Sequence, residues 1–153
     1  MEKYAVLLGY FDKQLKVIER LRSEIETVDI SHYDSMYVFA LKTQQFYTAI
    51  EDLFKQIAKA FENNIDSLSS YHKELLTRMN TEVSGIRPAL LSDQSLSTLN
   101  KIRAFRHFIR HAYDCELDSN ELAIIQTLLQ EKYPQVHADI NQFRDYVKEL
   151  ADS

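Results

Sequence analysis

Residues 36–61 read MYVFALKTQQFYTAIEDLFKQIAKAF, and within them Met36, Phe39, Phe46, Ile50, Leu53, Ile57 and Phe61 recur at helical steps. Apolar residues three, four and seven apart share one face of an α-helix, so the spacing predicts one of about eight turns with a single buried stripe. A chain with 45% hydrophobic residues but only two Gly and two Pro supports helices throughout. Helix formers dominate it, and residues that tight turns and strand ends demand are scarce.

Upstream, Leu8, Phe11, Leu15, Ile18 and Ile25 follow Tyr4 on steps of three and four with one gap. They predict a first helix ending near Val28, then a connector from Asp29 to His32 with Ser31 as the next N-cap. Downstream, Asn63-Asn64 closes the long helix, and a third is expected from about Ser67 to Glu82 through Leu68, Tyr71, Leu75 and Met79. Gly85 and Pro88 then break the chain. Ser92 or Asp93 caps a fourth helix through Leu96, Leu99, Ile102 and Ile109, and Ser119 caps the last segment. That segment carries Leu122, Ile125 and Leu129, then Val136, Ile140, Phe143, Val147 and Leu150, and reads as one helix bent or split at Pro134. The expectation is an all-α antiparallel bundle of about five helices, a single domain over residues 1–153.

A lone cysteine, Cys115, excludes an internal disulfide framework and fits a reducing cytosol. The N-terminus lacks the pattern of a signal peptide, and no run approaches the roughly 18–20 apolar residues of a membrane span. A cytoplasmic protein without a membrane partner is expected.

Charge is unevenly distributed. Between Gln94 and Tyr113 there are four Lys/Arg (Lys101, Arg103, Arg106, Arg110), two His and no Asp or Glu. The remainder holds 14 basic against 23 acidic residues, a balance of −9. A positive segment on an acidic body points to an anionic ligand, with phosphate the usual one. At about 100° per residue, Leu99, Ile102, Phe105, Ile109 and Ala112 cover one arc of this helix, and Arg103, Arg106, His107, Arg110, His111 and Asp114 an adjacent one. Arg106 lies beside the apolar arc, where an arginine either snorkels along a groove or is partly buried. Arg106 and His111 stand about 140° apart on an ideal helix. To share a site, they require the helix to end or distort near them, or a second chain to supply one of the pair.

These residue types suit phosphate chemistry. An arginine fork matches two phosphate oxygens and stabilises charge growing on a phosphorane. Histidine moves protons near neutrality, to or from a ribose 2′-hydroxyl or a leaving 5′-oxygen. The two together suffice in principle for metal-independent RNA cleavage.

The run Arg106-His107-x3-His111-x-Tyr113 resembles the R-x4-H-x-Y motif of the HEPN superfamily, and in particular of HepT-type toxins from HEPN–MNT toxin–antitoxin systems. Phe46-Tyr47-Thr48-Ala49-Ile50-Glu51-Asp52-Leu53-Phe54 is similar to the F-Y-x-x-x-E-x-x-F stretch of that family's long helix. Tyr71-His72-Lys73-Glu74-Leu75-Leu76 resembles its aromatic-H-x-x-L-L segment, and Phe105-Arg106-His107 its F-R-H entry to the motif. The likeness covers roughly residues 35 to 118. It implies a small all-α bundle that forms a homodimer, the motifs of both protomers lining one basic cleft. It also implies a metal-independent endoribonuclease with no cofactor, Arg106 and His111 being its catalytic residues. RNA, messenger or transfer, would be the substrate, steered by Lys101, Arg103, His107 and Arg110. Tyr113 resembles the tyrosine to which a partner MNT-type nucleotidyltransferase antitoxin adds AMP. A non-catalytic HEPN module, binding nucleotide or RNA as a scaffold for that partner, is the alternative.

Plainer readings stand beside these. Arg106 can close a bundle end against a carboxylate, and His111 can be an ordinary surface imidazole. His107 and Arg110 either orient phosphate or only keep the cleft basic, and Tyr113 can be a packed aromatic with its hydroxyl at the rim. His72 and Glu51 serve equally well to hold helices together. The spacing of His107, His111 and Cys115 resembles a metal-binding ridge, but three ligands on one straight helix rarely converge on an ion. Tyr33, Tyr37, Tyr47 and Tyr71, spaced as they are, are expected in the core rather than stacked on bases.

Overall fold

The computed structural model describes residues 2–62, 71–112 and 115–153. Among these residues five helices follow one another: α1 (Glu2–Glu26), α2 (Tyr33–Glu62), α3 (Tyr71–Met79), α4 (Asp93–His111) and α5 (Ser119–Asp152). Among the described residues there is no strand, only an isolated antiparallel bridge between Val83 and Arg87. None of these helices is long and apolar enough to cross a membrane.

Side-chain partners establish the antiparallel order. Tyr4, at the start of α1, stacks near Phe61 at the end of α2, while Lys42 bonds Glu24 from the opposite ends. Helix α5 runs back along α1: Gln126 donates to the carbonyls of Ile25 and Val28, His137 meets Glu19, and Arg144 grips Asp12 at 2.8 and 3.0 Å. Asp139 of α5 reaches the start of α4. The short α3 packs on α2 and α4.

The α2 stripe is buried as its spacing predicts, from Phe39 through Phe46, Ile50, Leu53 and Ile57 to Phe61. Along α1 the buried set is Leu7, Phe11, Ile18, Leu21 and Ile25, while Leu8 and Leu15 are only partly covered. The seam follows a seven-residue repeat, the geometry of near-parallel helices. Gln14 falls in that seam and is satisfied there by donating to the Ala49 carbonyl at 2.9 Å.

Helix ends depart from expectation by one or two residues. Met36 N–H bonds the His32 carbonyl, so His32 precedes the first turn of α2, and Ser31 instead donates from its amide and hydroxyl to Asp29 Oδ1. Asp118, not Ser119, caps α5 by accepting from Asn120 N–H. Ser92 caps α4 as expected. Helix α5 is continuous through Pro134, neither split nor interrupted, although Pro134 offers no N–H to the Gln130 carbonyl. Leu129, Tyr133 and Val136, all buried, hold the helix across that missing bond.

Helix α3 stops at Met79 rather than Glu82, because the Met79 carbonyl takes the amides of Leu90 and Leu91. Arg87, whose side chain is fully buried, closes that corner. It pairs with Glu62 at 2.7 Å and donates to the carbonyls of Arg78, Thr81 and Pro88. Gly85 supplies the positive φ of 77° that the turn needs. The expected helix end at Asn63-Asn64 and helix start at Ser67 and Leu68 lie outside the described residues.

Candidate active site

Helix α4 carries the acid-free segment and is anchored at its start. Asp139 Oδ2 accepts from the Ser92 amide (2.9 Å), the Ser92 hydroxyl (2.7 Å) and the Ser95 hydroxyl (2.6 Å), while Oδ1 accepts from Gln135. Burial alone would raise this carboxyl, but the bonds from Ser95, Ser92 and Gln135 outweigh it and hold it below the usual carboxylate range. Leu99, Ile102 and Phe105 are buried, and Phe105 meets Phe39 edge to face at 6.2 Å. These contacts set which way the polar residues of α4 point.

Arg106 is half-buried. Its guanidinium carbon lies 5.8 Å from the centre of the Tyr47 ring, and its Nε is buried without a hydrogen-bond partner. It pairs with no carboxylate among the described residues. The partly buried reading therefore describes it, and closure of a bundle end through an ion pair does not. Tyr47 is fully buried and its hydroxyl is likewise unpartnered. Burial pushes that phenol far up, Glu51 adds to the rise, and Arg103 and Arg106 oppose it. Arg103, half-buried, donates to Asn100 at 3.3 Å.

His107 and His111 are exposed on successive turns with ring centres 4.3 Å apart. His111 Nδ1 lies 2.8 Å from the His107 carbonyl. A carbonyl oxygen only accepts, so Nδ1 carries the proton. In the neutral ring Nε2 then holds the lone pair, which orients His111 for proton transfer through that nitrogen. Arg110 is exposed beside them, in the last turn where the helix dipole favours a cation.

One member of the expected set sits elsewhere. Lys101 lines a groove of about 520 Å³ between α4 and α5 with Gln94, Glu131 and Lys132. It is about 180° around the helix from Arg110. Tyr113, the expected AMP acceptor, and Asp114 lie outside the described residues, as do the side chains of Tyr71 and His72. Helix α4 stays regular through His111 and ends there, with Ala112 N–H bonding the Ile109 carbonyl. No distortion between Arg106 and His111 closes the angle of about 140° that separates them on the helix. The same helix end takes Cys115 off the His107–His111 ridge, and no group of three or more potential metal ligands occurs among the described residues.

The aromatic expectation needs correction. Tyr47 is in the core, but Tyr33 and Tyr37 are 58% and 44% exposed, with their hydroxyls 3.1 Å apart. On the wheel they sit roughly 120–160° from Phe39, away from the buried stripe. Sequence reading missed the contact of Tyr47 with Arg106 and the anchoring role of Asp139. The only signal for the first was that Tyr47 and Glu51, one turn apart, add two polar groups to a buried stripe.

No curated protein and no solved structure matches the chain. A family model described as HepT-like protein matches residues 38–147, a span that holds most of α2, all of α3 and α4, and most of α5. With well over half its length matched, and an all-α bundle carrying Arg106 and His111 on α4, the chain belongs to the HepT-like family of HEPN proteins.

Proposed function

We propose that this protein is the toxin of a HEPN–MNT toxin–antitoxin pair, a metal-independent endoribonuclease acting as a homodimer in the cytoplasm. The observation that carries the reading is the orientation of His111. Its Nδ1–H is spent on the His107 carbonyl, which leaves Nε2 for a substrate proton, at the end of a helix whose exposed face is cationic. The 2′-hydroxyl of RNA gives its proton to Nε2 as its oxygen bonds the adjacent phosphorus, and the bond from phosphorus to the 5′-oxygen breaks. A proton returned to that leaving oxygen completes the step. Arg106 takes the phosphate oxygens and stabilises the charge that grows on them. Arg103, His107 and Arg110 hold neighbouring phosphates, and Lys101 adds to the longer-range field.

Arg106 and His111 diverge within one chain, which favours a cleft where one protomer supplies the arginine and its partner the histidine. An AMP group on Tyr113, two residues beyond His111, adds a phosphate that competes for the same cations, which gives a nucleotidyltransferase antitoxin its means of silencing. The scaffold alternative needs cations but no oriented histidine, so the tautomer-fixing bond of His111 weighs against it.

The test is RNA cleavage in EDTA by protein whose intact mass excludes attached AMP, beside Arg106→Ala and His111→Ala. Cleavage by wild type alone supports the assignment. A His111→Ala protein that cleaves at the wild-type rate removes His111 from the mechanism, and an inert wild type favours the scaffold.

A further inference from the structure

An arginine that must grip a phosphate needs a partner that fixes its direction without consuming its charge. A carboxylate fixes direction but neutralises the group and occupies its donors. An aromatic face attracts the cation through its quadrupole and leaves the N–H groups uncommitted. Arg106 has the second kind of partner. Its guanidinium lies over Tyr47, and neither terminal nitrogen donates to a described residue. Tyr47 is itself held rigidly: its side chain is fully buried in α2, a helix packed against α1, α3, α4 and α5. The Tyr47 hydroxyl and Arg106 Nε are both buried without hydrogen-bond partners, so hydrogen bonding does not explain the pairing. Glu51, one turn along α2, is buried as well, and its charge and those of Arg103 and Arg106 all reach the phenol.

We propose that Tyr47 is a positioning residue for the phosphate-gripping arginine: its buried ring carries the Arg106 guanidinium and leaves the terminal nitrogens free for an RNA phosphate. The proposal rests on the ribonuclease reading for its consequence, but the ring–guanidinium contact stands without it. Because the ring and not the hydroxyl holds the cation, phenylalanine should serve where leucine does not.

The experiment compares full-length wild type with Tyr47→Phe, Tyr47→Leu and Phe46→Leu, the last removing a buried ring that faces Tyr133 instead. Tyr47→Phe should keep kcat within about twofold. Tyr47→Leu should lower kcat by about ten- to a hundredfold with KM within about threefold, the cost of a misplaced transition-state contact. Phe46→Leu should lose comparable thermal stability but less than about threefold in kcat. Where leucine impairs folding, phenylalanines carrying increasing numbers of ring fluorines at position 47 weaken the quadrupole at nearly constant size, and kcat should fall stepwise. A flat fluorine series, or a folded Tyr47→Leu as fast as wild type, overturns the proposal. A readout without RNA is the Arg106 Nε–Hε resonance in nitrogen-15 NMR. The ring should hold it away from the free-arginine position in wild type and Tyr47→Phe, and Tyr47→Leu should release it. An unchanged resonance in Tyr47→Leu overturns the contact. If wild type cleaves no RNA, the ribonuclease reading fails, and this resonance alone decides whether Tyr47 positions Arg106.

Discussion

Asp139 anchors the motif helix to α5, and replacing it gives a stability change with a defined pH signature. Three donors from Ser92 and Ser95 converge on Oδ2, and Gln135 donates to Oδ1. Asp139→Ala leaves Ser92 and Ser95 without their acceptor and removes bonds to a charged group, at a cost of about 3–4 kcal/mol. For a domain of this size that lowers Tm by roughly 6–16 °C. Asp139→Asn keeps an oxygen for Ser92 and Ser95, and the Gln135 amide can turn to accept from the new N–H₂. Only the charge assistance is lost, about 1–2 kcal/mol. The carboxyl of Asp139 is held below its ordinary value, so its contribution is fully present above the unfolded carboxylate value of about 3.9 and is lost as pH falls through the lower folded value. Denaturant unfolding followed by circular dichroism at pH 7 and near pH 3 should show the gap between wild type and Asp139→Asn closing in acid. Other carboxylates titrate in both proteins and cancel in the difference. A gap that stays constant from pH 7 to pH 3, or widens, refutes the claim that a charged Asp139 holds α4 in place.

Arg87→Met should cost about 3–5 kcal/mol, because Glu62 loses the buried partner 2.7 Å away, and adding Glu62→Gln should recover part of that loss in thermal melts. Gly85→Ala meets no atom within 4 Å but must adopt a φ of 77°, so it should lower stability by about 1 kcal/mol, measurable by urea titration. His111→Gln should change unfolding free energy by less than about 0.5 kcal/mol, as its ring is exposed, yet lower RNA cleavage at least a hundredfold in a single-turnover assay.

Helices whose apolar residues recur at a regular step were legible because burial and period coincide: α2 and the ends of α5 need no more than the steps between Phe, Ile and Leu. Caps were legible only to the nearest one or two residues, since Asp118 and Ser119 are both competent acceptors and only backbone geometry chooses between them. Arg87 is a different failure. Nothing local distinguishes it from a surface arginine, and its burial depends on carbonyls freed where α3 ends and on Glu62 from another helix. Tyr33 and Tyr37 were misread for a reason the sequence already contained. Counting tyrosines in a helical stretch ignores the angle at which they leave it, and that angle takes both to solvent.

The site divides along the same line between what one helix dictates and what packing adds. The angle between Arg106 and His111 follows from five residues of regular helix, and the structure keeps that angle because α4 runs undistorted to a cap at Ala112. The two motif residues therefore obey different constraints. His111 is oriented from within its own helix, through the His107 carbonyl. Arg106 is oriented by α2 through the Tyr47 ring, a contact that exists only once the bundle has formed. A perturbation that shifts α4 against α2 should then impair the arginine before the histidine. Loss of the Asp139 anchor is such a perturbation, and its effect on cleavage should resemble that of Tyr47→Leu rather than that of His111→Gln.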